Sequence, residues 1–138
     1  MPSEHVEERI AIESDSDVVV ARQRARALAA ELEQSTTDQT LLATAISEVA
    51  RNITAYAKRG EVVLSVVHDG GRDGIRVVAR DDGPGIADVE LALQDGDPSG
   101  GGLGLGLPGA RRLVDEFDIE SAPSEGTTVT LVKWSRLR

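Results

Sequence analysis

Two stretches in the first half of the chain repeat their apolar residues at the spacing of a helix. The first starts near Ser14 and continues through VVVARQRARALAAELE. The second runs from about Ser35 to Ala57, and its apolar residues share one face: Leu42, Ile46, Val49 and Ile53. Steps of three and four residues place side chains on the same side of a helix. The pattern therefore predicts two helices, each with one buried face.

The other apolar runs are short and rich in β-branched residues, as strands are. Residues 6–12, VEERIAI, predict an edge strand. EVVLSVVHDG and GIRVVARDDG, joined by a turn-rich segment, predict a hairpin of two central strands. A short helical stretch over residues 88–93 and a third helix in LPGARRLVDEF come next. DIESA and TTVTLVKW, separated by PSEG, predict a closing pair of strands.

Length and composition are those of one globular domain over residues 1–138. The chain is 40% hydrophobic and 28% charged but only 2% aromatic. Val, Leu, Ile and Ala must therefore fill the core, which favours helices packed on a sheet. Because the chain has no cysteine, disulfides, thiolate metal sites and a cysteine nucleophile are excluded.

A formal net charge of −9 limits the classes of partner. Such a charge repels nucleic-acid backbones at long range, so we expect no nucleic-acid partner. No apolar run approaches the roughly 18 residues that span a bilayer, so we expect no membrane partner either. The lack of cysteine fits a reducing compartment, and we expect a cytoplasmic protein. A small anion can still bind locally through backbone N–H groups.

The second predicted helix carries two polar residues, Glu48 and Asn52, within SEVARN. Because they are four residues apart, they lie on the same side of the helix, at the flank of its apolar face. An ordinary polar flank explains this placement, and so does a cleft that both side chains face. By the same geometry Arg51 points away from the apolar face, so we expect it to be solvated or to face a partner; a role as an additional cation in the site is the alternative.

The second strand of the predicted hairpin ends in RDDGPGI. This position would put Asp81 at the base of a cleft. Gly83 and Gly85 either leave room for a flat ligand or form an unusual turn. Taken alone, the stretch is equally well explained by a tight turn.

Residues 98–109, PSGGGLGLGLPG, alternate Gly102, Gly104 and Gly106 directly before the third predicted helix. Backbone N–H groups and the helix dipole at such a place stabilise an anion. A flexible linker is the alternative explanation for a glycine-rich stretch. The Lys-Ser/Thr pair and the spacing of a Walker loop are absent.

Taken in order, these motifs resemble the GHKL ATPases: E-x-x-x-N on a helix, D-x-G-x-G after a strand, G-x-G-x-G before a helix and GTT entering a strand. The resemblance implies the Bergerat fold, an α+β two-layer sandwich with a mixed, mostly antiparallel sheet covered on one face by helices. It also implies that ATP and Mg²⁺ are bound.

The resemblance gives roles to single residues. Asn52 would coordinate the magnesium that bridges the phosphates, Asp81 would accept a hydrogen bond from the adenine amino group, and Thr127 would support the base pocket. The implied nucleotide site comprises Asn52, Asp81, Gly83, Gly85, Gly102, Leu103, Gly104, Leu105, Gly106 and Thr127. One departure is that Ser124 stands where the last motif of the family, G-x-G-T, has its first glycine.

Phosphate transfer to a hydroxyl needs a group that accepts its proton, and a carboxylate can do so. Glu48 lies one turn from Asn52 and is the expected catalytic base.

Four longer stretches resemble the RsbT-type switch kinases: DVVVARQRARALAAEL, DQTLLATAISEVARNI, GGLGLGLPGARRLVDEF and the terminal VKW. This resemblance implies a protein serine/threonine kinase whose substrates are STAS-domain antagonist and scaffold proteins. Once released, such a kinase activates a PPM-type phosphatase in a stress-response cascade. Two alternatives stay open, an anti-sigma factor of the RsbW type and a non-catalytic ATP-dependent adaptor.

Overall fold

The computed structural model describes residues 7–57, 59–86, 89, 93 and 106–135. Its elements are β1 (Glu7–Ile12), α1 (Asp15–Glu31), α2 (Thr36–Tyr56), β2 (Gly60–Asp69), β3 (Arg72–Asp81), α3 (Gly106–Leu113), β4 (Glu116–Ser121) and β5 (Thr127–Trp134). Both predicted long helices, the edge strand, the hairpin and the closing pair of strands are present.

The five strands form one sheet in the order β1-β2-β3-β5-β4. Each of the four pairings in the described chain is antiparallel, although the prediction allowed for a mixed sheet. The hairpin turns at Gly70 and Gly71, whose positive φ angles of 57° and 81° suit the tight two-residue turns of hairpins. Since β5 lies beside β3, the end of β3 meets the start of β5.

The core lies between the helices and one face of the sheet. The four predicted apolar residues of α2 are at most 2% exposed. On the sheet, alternate residues point at the helices, and the most deeply buried of them are Ile12, Val62, Leu64, Ile75, Val77 and Leu131. Burying one such aliphatic side chain stabilises the fold by roughly 1.5–3 kcal/mol. The predicted two-layer α+β fold is confirmed.

The two long helices begin differently. Ser35 caps α2, and its Oγ accepts a hydrogen bond from the N–H of Asp38 at 3.0 Å. At α1 the hydroxyl of Ser14 accepts no backbone N–H, and Oδ2 of Asp17 instead accepts from the N–H of Glu13 at 2.9 Å. The predicted start of α1 near Ser14 is therefore correct, and the side chain that accepts a backbone N–H there is that of Asp17.

The prediction of a third helix reaching Phe117 is wrong at its end. Helix α3 stops at Leu113, and Phe117 belongs to β4, where it pairs with Leu131 of β5. The N–H of Asp115 also donates to the carbonyl of Val132 at 3.0 Å. Hydrogen bonding to β5 thus overrides the helical spacing of LVDEF, which sequence alone could not anticipate.

Most of the predicted helical stretch over residues 88–93 lies outside the described residues. In the part of the chain that the structure describes, no helix is long and apolar enough to cross a membrane.

Candidate active site

The side chain of Glu48 is buried in α2, with 9% of its surface exposed. Its Oε1 accepts a hydrogen bond from the backbone N–H of Gly106 at 2.9 Å, and its Oε2 accepts one from Nη1 of Arg51 at 2.9 Å. Gly106 is the first residue of α3. The carboxylate therefore joins the middle of α2 to the N-terminus of α3, where the glycine-rich stretch ends.

Asn52 lies one helical turn beyond Glu48 and is half-buried. Within the described residues its side-chain amide makes no hydrogen bond. Further along, Ala57 at the end of α2 touches the turn after β3, because a Cβ added at Gly83 would lie 2.6 Å from the Cβ of Ala57. Asn52 is thus placed between the contact with α3 and the contact with this turn.

Asp81 ends β3, and its Oδ1 accepts a hydrogen bond from the N–H of Gly83 at 2.8 Å. This bond stabilises the turn. The turn also requires its glycines: Gly85 has a φ of +79°, and a Cβ there would lie 2.0 Å from the carbonyl oxygen of Ala122. Of the two explanations for these glycines, the structure shows the unusual turn, because Gly85 has a positive φ and packs closely against the backbone of Ala122.

The start of β5 lies directly beside Asp81. Thr127 is its partner in the antiparallel register and is 5% exposed. A Cβ added at Gly126 would lie 2.1 Å from the carbonyl oxygen of Asp81, so only glycine allows the two strands to approach here. The D-x-G-x-G and GTT motifs are therefore parts of one site.

Ser121 of β4 holds this part of the site together. Its Oγ accepts from the N–H of Ile86 at 2.7 Å, donates to the carbonyl of Gly126 at 3.0 Å and lies 2.8 Å from Oγ1 of Thr127. Because a serine hydroxyl has one proton, the Thr127 hydroxyl is the donor in the last contact. Lone pairs of Thr127 Oγ1 are then left to accept a hydrogen bond from a ligand.

The residue that departs from the family motif adopts the conformation of a glycine. Ser124 has a φ of 67°, and its N–H donates to the carbonyl of Pro84 at 2.7 Å. A left-handed conformation costs a non-glycine residue roughly 1–2 kcal/mol. The replacement of glycine by serine therefore keeps the shape of this loop and stores strain in it.

The described residues include only the end of the glycine stretch. Gly102, Leu103, Gly104 and Leu105 lie outside the described residues, and Gly106 has a φ of +67°. The N–H of Gly106, predicted to face an anion, is bonded to the Glu48 carboxylate. An anionic group thus already occupies this helix N-terminus, as the helix dipole favours.

Two functional contacts were missed by sequence reasoning. Arg51 was expected to be solvated or to face a partner, but its guanidinium pairs with Glu48 although 52% of the side chain is exposed. The spacing of three residues on a helix was the available signal. Ser121 gave none, because only the folded sheet brings it to Ile86 and Thr127.

Among the described residues there is no group of three or more His, Cys, Asp or Glu side chains that could hold a metal ion alone. The residues present nevertheless fit Mg²⁺ bound with a nucleotide. Magnesium is commonly held by one or two protein oxygen ligands, substrate phosphates and water. The amide of Asn52, with no hydrogen bond to other described residues, is suited to be such a ligand.

Comparison with known proteins identifies the family. Residues 37–136 match the family of histidine kinase-, DNA gyrase B- and HSP90-like ATPases. The chain belongs to this family. It is 46% identical over 127 residues to the serine/threonine-protein kinase RsbT of Bacillus subtilis (strain 168), covering 92% of this chain and 96% of that protein. The anti-sigma F factor of Geobacillus stearothermophilus is 32% identical over 120 residues, 82% of this chain and 81% of that protein.

A solved structure of the RsbU and RsbW domains of a Mycobacterium tuberculosis protein has the same fold. The TM-score is 0.67 at 21% sequence identity, and the match covers 99% of this chain and 34% of the solved one. The predicted resemblance to the RsbT-type kinases of the GHKL superfamily is confirmed by these similarities. The chain is accordingly a protein serine/threonine kinase, and its family implies that it uses ATP.

Proposed function

We propose that this kinase transfers the γ-phosphate of ATP to a serine or threonine hydroxyl of STAS-domain antagonist proteins. The observation that carries the proposal is the contact between Glu48 and the N–H of Gly106. It places a buried carboxylate at the end of the glycine stretch, where the phosphates of a nucleotide are expected. The 46% identity to a serine/threonine-protein kinase supports the same reaction.

The nucleotide would be held at both of its ends. Asp81 accepts a hydrogen bond from the adenine amino group, and the Thr127 hydroxyl accepts a second one nearby. Asn52 would hold Mg²⁺, which neutralises phosphate charge when bound. The roles of Asp81 and Thr127 are supported by their pairing in the strand register and by the free lone pairs of Thr127.

In the transfer step the hydroxyl oxygen of the substrate forms a bond to the γ-phosphorus. The bond between that phosphorus and the bridging oxygen breaks, and ADP leaves with the bonding electrons. The hydroxyl proton passes to the carboxylate of Glu48. Such a proton acceptor contributes typically 10²- to 10⁴-fold to a rate.

The experiment compares wild type with Glu48→Gln and Glu48→Ala. Radiolabelled ATP, Mg²⁺ and candidate STAS proteins are mixed with each protein, and label in the STAS protein is followed. Glu48→Gln keeps an oxygen that can accept from Gly106 but is a far weaker proton acceptor, so we expect unchanged ATP affinity and about a hundredfold slower transfer. Glu48→Ala also leaves the Gly106 N–H without its partner. Equal transfer by wild type and Glu48→Gln would remove Glu48 as the base.

The second half of the proposal is a switch. After phosphorylating its STAS partner, the kinase is released and activates a PPM-type phosphatase without phosphorylating it. The phosphoryl group adds a charge of about −1.5 to −2 to the partner. The kinase has a formal net charge of −9, so repulsion favours dissociation of the product.

An anti-sigma factor of the RsbW type is the second candidate. The 32% identity to an anti-sigma F factor favours it. Binding of a sigma factor to the purified protein in the presence of ATP, with loss of sigma-dependent transcription, would support this alternative. Phosphate transfer to a STAS protein without sigma binding would support the switch kinase.

A further inference from the structure

The ion pair between Arg51 and Glu48 joins an exposed cation to a buried carboxylate. Nη1 of Arg51 lies 2.9 Å from Oε2 of Glu48, and the two side chains are 52% and 9% exposed. Exposed ion pairs contribute little to stability, but a buried carboxylate is costly unless it is paired and hydrogen-bonded. The main effect of the ion pair is therefore on the Glu48 carboxylate, whose burial it makes less costly.

We propose that Arg51 is a positioning residue for phosphate transfer, which fixes the Glu48 carboxylate in the orientation that accepts the proton of the substrate hydroxyl. The inference rests on the proposed function, because it gives Arg51 a role only through the base.

Two donors from different parts of the fold hold the carboxylate. Gly106 at the start of α3 binds Oε1, and Arg51 on α2 binds Oε2. A carboxylate has about four acceptor positions on its two oxygens. Two are occupied here, so others are left for the substrate proton. With both donors present, rotation of the carboxylate about its last bond would break at least one hydrogen bond.

Among the described residues, removing Arg51 would leave the N–H of Gly106 as the one donor to the carboxylate. The group could then rotate while keeping that bond, and its free lone pairs would no longer be held toward the substrate. Small misplacements of a reacting group can cost about a hundredfold in rate. Nucleotide binding would change little, because Arg51 has no assigned contact with the nucleotide.

The first test compares Arg51→Gln, Arg51→Lys and a control, Arg76→Gln, which makes the same charge change at an exposed position of β3. Single-turnover transfer, ATP affinity and melting temperature are measured for each. We expect Arg51→Gln to slow transfer by about ten- to a hundredfold at unchanged ATP affinity. Arg51→Lys should recover most of the rate, since a lysine ammonium can also donate to Oε2.

Two results of this first test would overturn the inference. One is that Arg51→Gln transfers phosphate as fast as Arg76→Gln. The other is that its ATP affinity falls as much as its transfer rate, which would indicate a structural role.

The second test is a double-mutant cycle between Glu48→Gln and Arg51→Gln. If Arg51 acts through the base, Arg51→Gln should slow transfer no further once Glu48 is replaced. Losses that multiply would show that Arg51 touches the phosphate or the substrate itself, and would overturn the inference. Wild-type transfer is the reference for both tests. Its absence overturns the proposed function, whereas any of the three contrary results beside normal wild-type transfer overturns only the role of Arg51.

Discussion

The hydroxyl oxygens of Ser121 and Thr127 lie 2.8 Å apart, at the point where β4, β5 and the turn after β3 meet. Ser121 also binds the N–H of Ile86 and the carbonyl of Gly126. One small side chain on an edge strand therefore connects three backbone segments around the proposed base pocket. Its proton goes to the carbonyl of Gly126, which leaves Thr127 as the donor between the two hydroxyls and as an acceptor toward a ligand.

Replacing this hydroxyl should loosen the base pocket. Ser121→Ala leaves the Ile86 N–H and the Gly126 carbonyl without their partner, and an unsatisfied buried group costs about 1–3 kcal/mol. We expect a lower free energy of unfolding in urea and weaker ATP binding. Ser65→Ala on β2 is a control for the loss of a strand hydroxyl. Unchanged ATP affinity in Ser121→Ala would contradict the role of Ser121 in the pocket.

Asp81 is tested by nucleotide-dependent stabilisation. If ATP binds only the folded state, it should add roughly 2.7 kcal/mol of stability at 100 times its dissociation constant. In Asp81→Asn the side-chain oxygen can still accept from the N–H of Gly83, so the turn should survive. The new amide group can face the adenine amine as a second donor, and the stabilisation by ATP should disappear. A thermal shift with ATP equal to that of wild type would remove Asp81 from the base pocket.

The strained loop at Ser124 offers a prediction about stability alone. Serine at a φ of 67° costs roughly 1–2 kcal/mol, and the greater freedom of glycine in the unfolded chain offsets about 0.5–1 kcal/mol of that. Ser124→Gly should therefore raise the free energy of unfolding by about 0.5–1 kcal/mol. Ser124→Ala keeps the Cβ and should give no such gain. A destabilised Ser124→Gly would show that the serine side chain stabilises this loop by a contact of its own.

Most of the fold could be predicted because the patterns that indicate its helices and its hairpin lie within short stretches of the sequence. The apolar residues of α2 recur at helical spacing along a helix of 21 residues, and the hairpin combines two β-branched runs with a two-glycine turn. The end of α3 could not be predicted, since LVDEF suits a helix throughout, yet Glu116 and Phe117 at its end join β4, where β5 offers hydrogen bonds. The pairings of β1 with β2 and of β3 with β5 also lie beyond local signals, because they join residues that are far apart in the sequence.

The site was predictable only in part. Glu48, Asn52 and Asp81 stood out through motif spacing, and the structure brings Glu48 to Gly106. Their catalytic and binding roles stay predictions, as does the role of residues 102–105, which lie outside the described chain. The contact between Arg51 and Glu48 was missed because helix geometry shows only where the Cα–Cβ bond of Arg51 faces, whereas a long, largely exposed side chain can reach back to a buried neighbour.

The switch gives the most demanding prediction. In Glu48→Gln, the surface that binds the STAS partner should be intact, because the side chain is buried and keeps its shape. Phosphate transfer should be about a hundredfold slower, so the mutant should stay bound to its STAS partner in the presence of ATP.

The same mutant without the STAS protein should activate the proposed PPM-type phosphatase to the level expected of wild type, because activation by contact needs no phosphate transfer. Phosphatase turnover is followed in two mixtures. Both contain kinase, ATP and phosphatase, and one of them also contains the STAS protein. Wild type should activate in both mixtures once ATP is added, and Glu48→Gln only in the mixture that lacks the STAS protein. Full activation by Glu48→Gln in both mixtures would mean that phosphorylation is not the step that releases the kinase, because a mutant that transfers phosphate slowly would then escape its partner as readily as wild type.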